Sequence, residues 1–69
     1  MLGPGCLECA PLLQSLIRRE LADGREYQTL ARRASGAPAR VLAALAGEKK
    51  RRARKVSAAY FLIAGGRYW

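Results

Sequence analysis

The chain contains no histidine. That removes the commonest metal-ligating side chain and the usual acid–base group near neutral pH, so a His/carboxylate catalytic centre built from this chain alone is excluded. β-Branched residues are scarce (Ile17, Thr29, Val41, Val56 and Ile63 are all there are), which disfavours strands. Acids are few: five Asp and Glu stand against thirteen Lys and Arg, for a formal charge of +8. Such an excess favours phosphates or acidic surfaces as partners. The two cysteines, Cys6 and Cys9 of "GCLECA", form one C-x-x-C with no second pair to complete a zinc site. They read as a redox pair, a metal site shared across subunits, or two ordinary thiols. The apolar run "VSAAYFLIAGG" is too short to span a bilayer, and the start lacks the charged segment of a secretory signal. The expectation is a cytoplasmic protein with no transmembrane segment.

What is present favours helix. Hydrophobic residues make up 51% of the chain, too many for a disordered tail, and Ala and Leu dominate them. Sixty-nine residues allow one small domain that needs a staple or a partner to bury its apolar surface. Residues 1–10 read as an N-terminal segment carrying the C-x-x-C, and residues 11–69 as an all-α unit.

Pro11 suits the first position of a helix that runs without another proline to "SGAP". Leu13, Ile17, Glu20, Gly24, Tyr27, Ala31 and Ala34 recur in steps of four and three, one face of that helix. Gly36 can terminate it, and Pro38 can open a second helix ending at Gly65–Gly66. The second stripe is Pro38, Leu42, Leu45, Lys49, Arg52, Val56, Ala59 and Ile63. Two residues of the basic run "KKRRARK", Lys49 and Arg52, thus fall on an otherwise apolar face. A short turn makes the two helices an antiparallel hairpin. Counted from Gly36, Glu20 and Arg52 are equally distant and stand at the same height, with Lys49 about one turn nearer the turn. A charge facing a core needs a counter-charge, and this layer supplies both signs. Leu12, Leu16, Leu30, Val41, Phe61 and Leu62 exceed what one hairpin can cover, which predicts a homodimer that rebuilds a four-helix bundle.

"ELADGREY", with Glu20 and Tyr27 seven apart, and "RARKVSAAYFLIAGGRYW" together resemble the first two helices of the rubrerythrin-type ferritin-like family, from about Leu12 to Trp69. The resemblance implies half of a ferritin-like four-helix bundle, a metal-ligand position at Glu20 and the family's tyrosine at Tyr27. It places Lys49 and Arg52 where the family carries the Glu and His of a Glu-x-x-His pair. Neither offers a lone pair near neutral pH. Glu48 is one residue off the ligand position; in a register that uses it, Arg51 takes the His position and still cannot ligate. Lys49 and Arg52 then either replace the metal's charge opposite Glu20 or snorkel from a half-exposed face.

Three functions follow as expectations. The first is a half-bundle that has lost diiron binding, expected to hold no cofactor and to act as a structural or self-association module with itself or a ferritin-like partner chain. The second is an iron-dependent oxidoreductase of the family's kind, for peroxide reduction or iron handling, completed by a second chain. The third is a nonspecific binder of nucleic acid or an anionic surface through Lys50, Arg51, Arg54 and Lys55 with Arg18, Arg19, Arg32 and Arg33.

Overall fold

The computed structural model describes residues 8–69. Two helices, α1 (Cys9–Arg33) and α2 (Gly36–Ala64), pack side by side and antiparallel, and the described residues contain no strand. The all-helical hairpin expected from the stripes is therefore present. Both helices begin two residues before the expected proline, so that Pro11 and Pro38 are each the third residue of a helix. The first four N–H groups of a helix have no partner within it, and a proline there forfeits no bond. The expected domain boundary at residue 11 accordingly falls inside α1.

The link between the helices is shorter than "SGAP" suggests: only Ala34 and Ser35. The Ala34 N–H donates to the Leu30 carbonyl at 3.0 Å and closes α1. Gly36 opens α2 instead of ending α1, and its φ of +67° is a conformation that glycine adopts without steric cost. Gly65 ends α2 as expected, with φ +81° and its N–H donating to the Phe61 carbonyl at 2.8 Å.

The packed seam is built from one large residue and several small ones. Ile17 and Ala53 are fully buried and Ser57 nearly so. Gly24 faces α2 so closely that a Cβ added to it would lie 3.4 Å from the Lys49 Cβ and 3.5 Å from the Ala46 carbonyl oxygen. Ile17 and Ala53 lie about equally far from the link, as Gly24 and Ala46 do nearer to it, which places the members of each pair level. The face of α2 that meets α1 is thus centred on Ala46, Ala53 and Ser57. That is one residue, or about 100°, round from the Leu45, Arg52 and Val56 of the expected stripe. Small side chains let helix axes approach closely, so they occupy the seam, and larger apolar residues are displaced to its edges.

The molecule is a rod of 48 × 15 × 14 Å with a radius of gyration of 14.8 Å, against about 11 Å for a compact chain of this length. Leu12, Leu16, Leu30, Val41, Phe61, Leu62 and Trp69 are all exposed. Among the described residues no helix is long and apolar enough to cross a membrane.

Candidate functional site

Halfway along the rod the two helices exchange charge. Glu20 and Asp23, one turn apart on α1, face Lys49 at the middle of α2. The Lys49 Nζ lies 3.3 Å from Glu20 Oε1 and 3.6 Å from Asp23 Oδ2. Arg52 Nη1 approaches the other Glu20 oxygen, Oε2, at 3.9 Å. The equal heights counted from the turn are therefore realised in the fold.

The two cations are not equivalent. Lys49 and Glu20 are largely covered, with side chains 22% and 20% exposed, whereas the Arg52 side chain is 65% exposed. The expectation that both point inward is corrected: Lys49 does, and Arg52 reaches over from the rim. The cause is the rotation of the seam, which gives the inward position to Ala53 and leaves Arg52 at its edge. Glu20 Oε1 is a buried oxygen without a hydrogen bond, although Lys49 is within ion-pair distance. The Lys49 ammonium is near but not aligned, so proximity of charge, not a formed hydrogen bond, compensates that oxygen.

Tyr27 is half-buried one turn beyond Asp23, in a groove with Asp23, Glu26 and Leu30. Glu48 is exposed and lies beside Arg51, Arg52 and Lys55, apart from the pairing of Glu20 with Lys49. The structure thus gathers Glu20, Asp23, Lys49 and Arg52 and leaves Glu48 outside. Among the described residues no group of three or more Cys, Asp and Glu side chains is placed to hold a metal ion. A diiron centre does not fit Glu20: its carboxylate is already opposed by two cations that would repel a metal and donate no lone pair to it. Of the thiol pair, Cys6 lies outside the described residues, and Cys9, at the start of α1, is not a free thiol.

A second constellation was not foreseen from the sequence. Beyond Gly65 the chain turns back along the helices. Arg18 Nη1 donates to the Tyr68 hydroxyl at 2.6 Å, and its guanidinium lies 5.9 Å from the centre of the Tyr68 ring. Tyr68 meets Tyr60 with ring centres 5.6 Å apart, and the Tyr60 hydroxyl accepts from Gln14 Nε2 at 2.8 Å. The Arg54 guanidinium sits 5.2 Å from the centre of the Trp69 ring, while Ser57 Oγ donates to the Trp69 carbonyl at 3.3 Å. Arg54 is therefore occupied by an aromatic ring rather than being merely solvated. Aromatics following a helix-ending glycine were the one available signal, and they carry no periodicity to say where they fold.

No protein family, curated protein or solved structure was found to match the chain.

Proposed function

We propose that this chain is a ferritin-like half-bundle in which fixed cations stand opposite Glu20 in place of metal, and that it serves as a structural module by pairing with a second copy. The observation that carries this reading is the Lys49–Glu20–Arg52 cluster, set between exposed leucines on one open side of the hairpin. A helical repeat of 3.6 residues puts Leu12, Leu16, Glu20, Asp23, Tyr27 and Leu30 on that side of α1. It puts Val41, Leu45, Arg52, Val56, Ala59 and Ile63 on the same side of α2.

Charge complementarity favours a second copy as the occupant. The layer holds two acids and two bases, so it is neutral and its own complement. It also lies at the middle of each helix, and a two-fold axis through that level brings layer onto layer and leucine onto aliphatic residues. Arg52, mostly exposed, would then have the partner's Asp23 within its range, since Asp23 is itself 41% exposed. The resemblance to rubrerythrin-type sequences supports four helices as the completed unit, and this reading supplies them from two chains.

Sedimentation velocity at tens of micromolar tests it. A dimer is expected, and Leu16→Glu, which puts a charge into the shared apolar side, is expected to weaken it by about 100-fold or more. A monomer at that concentration would overturn the proposal. Titration with ferrous iron is expected to give no saturable binding; stoichiometric iron would return the oxidoreductase reading.

A further inference from the structure

The five acids are distributed unevenly around the rod. With Ile17 and Ala53 marking the seam, the helical repeat places Glu20, Asp23 and Glu48 toward the leucine side and Glu8 and Glu26 on the back of α1. The opposite open side carries only bases. Arg18, Arg25 and Arg32 follow one another at intervals of seven residues, which keeps them within about 40° of a single line and about 10 Å apart along α1. Lys50 and Arg54 flank them on α2.

The contacts confirm the grouping. Arg25 and Lys50 border one groove with Leu21 and Gln28 between them. Arg18 and Arg54 are the bases that meet the returning Tyr68 and Trp69, and Arg67 borders the same groove as Arg54 and Trp69. Two carboxylates border Arg25: Glu20, whose charge is already met by Lys49 and Arg52, and Glu26, at the edge toward the back of α1.

We infer that this predominantly basic side is a docking surface for the phosphate backbone of duplex nucleic acid, engaged without regard to sequence. Guanidinium groups match phosphate oxygens in geometry as well as charge, and four of the five bases on the two helices here are arginines. The row from Arg18 to Arg32 spans about 21 Å, along which duplex DNA presents roughly a dozen charges. Between the bases lie Leu21, Gln28 and alanines, which offer little to recognise base edges. An anionic membrane is the poorer fit. Surface-bound helices need a broad apolar face bordering their basic one along its length; here Phe61, Leu62 and Trp69 border Arg54 and Arg67 at the open end alone, and Leu12, Leu16 and Val41 stand on the other side. The inference goes beyond self-pairing and does not depend on it, since the two surfaces face opposite ways. Were both to hold, a dimer would carry one such surface outward on each flank.

The test compares two triple variants of the full chain with the same loss of charge. Arg25→Gln/Arg32→Gln/Lys50→Gln strips the proposed surface, and Arg19→Gln/Arg33→Gln/Arg51→Gln strips the backs of the helices. All six side chains are exposed and lie away from the seam, and circular dichroism verifies that both variants stay helical. Binding to a 20-base-pair DNA duplex is followed by fluorescence anisotropy between about 50 and 200 mM salt. The first variant is expected to lose about tenfold or more in affinity and roughly three from the salt slope; the second is expected to change affinity by less than about threefold. Equal losses in the two variants would overturn the assigned surface. So would tighter binding of the parent chain to phosphatidylserine vesicles than to the duplex, or no duplex binding at 50 mM salt.

Discussion

On one side of the helix pair Lys49 meets Glu20 and Asp23; on the other, Tyr68 and Trp69 lie back across Arg18 and Arg54. Both arrangements place cations beside groups that stabilise positive charge, but they differ in what remains unsatisfied. The aromatic side is closed by its own chain: the Tyr68 hydroxyl, the Tyr60 hydroxyl and the Trp69 carbonyl all have partners. The charged side retains a buried carboxylate oxygen without a hydrogen bond and a row of exposed leucines. Tyr68 and Trp69 satisfy their end of the basic side within the molecule, and Arg25, Arg32 and Lys50 beyond it stay exposed. The side with the unsatisfied carboxylate is where a second copy gains most.

The sharpest way to break this contrast is Lys49→Met. It removes the ammonium and leaves Glu20 charged and four-fifths covered, an expected loss of about 2 kcal/mol in urea unfolding, below the 3–5 kcal/mol of fully buried pairs because some water reaches it. Glu20→Leu combined with Lys49→Met is expected to recover most of that stability. Loss in the double variant equal to the sum of the single changes would show that the pair is not coupled.

A smaller effect separates the two arginines. Had Arg52 carried the inward charge, Arg52→Ala would cost more than Arg54→Ala; Lys49 carries it instead. Arg52 is mostly exposed and 3.9 Å from its acid, so its removal is expected to cost under about 1 kcal/mol. Arg54, stacked at Trp69, is worth a comparable amount. The discriminating observation is where the damage appears: Arg54→Ala should change the tryptophan fluorescence and Arg52→Ala should not. A shift in both would mean that the two sides of the rod are not independent.

The smallest expected change is a gain. Gly24 costs about 1 kcal/mol relative to alanine in a helix interior, and an added Cβ would meet its neighbours at ordinary contact distances. Gly24→Ala should raise the midpoint of thermal unfolding slightly. A fall would mean that the helices rely on the glycine to approach beside the charged layer.

Much of the fold could be read from the residues because a hairpin is governed by counting. Steps of four and three define the faces, a break of a few residues makes neighbours antiparallel, and a fixed rise per residue puts Glu20 level with Arg52. Which degree of rotation each helix adopts was not legible. Hydropathy ranks Ala53 and Ser57 below Leu45 and Val56, yet the smaller residues take the seam because burial there depends on how closely two backbones approach. That one-residue rotation moved Arg52 from core to rim and brought Asp23 into reach of Lys49. The return of Tyr68 and Trp69 depends on contacts 8 to 50 residues away in sequence, which no helical periodicity encodes.

The two-residue link has a kinetic consequence. Each cross-helix pair joins residues nearly equidistant from Ala34 and Ser35, so the hairpin can close from the link outward with only small loops to form at each step. Opening runs the other way, beginning where the chain is farthest from the link. There Gln14 holds Tyr60 and Arg18 holds Tyr68, a latch at the end that would otherwise fray first. Amide hydrogen exchange should therefore slow from the open end toward the link, and Tyr68→Phe should quicken it at the open end alone.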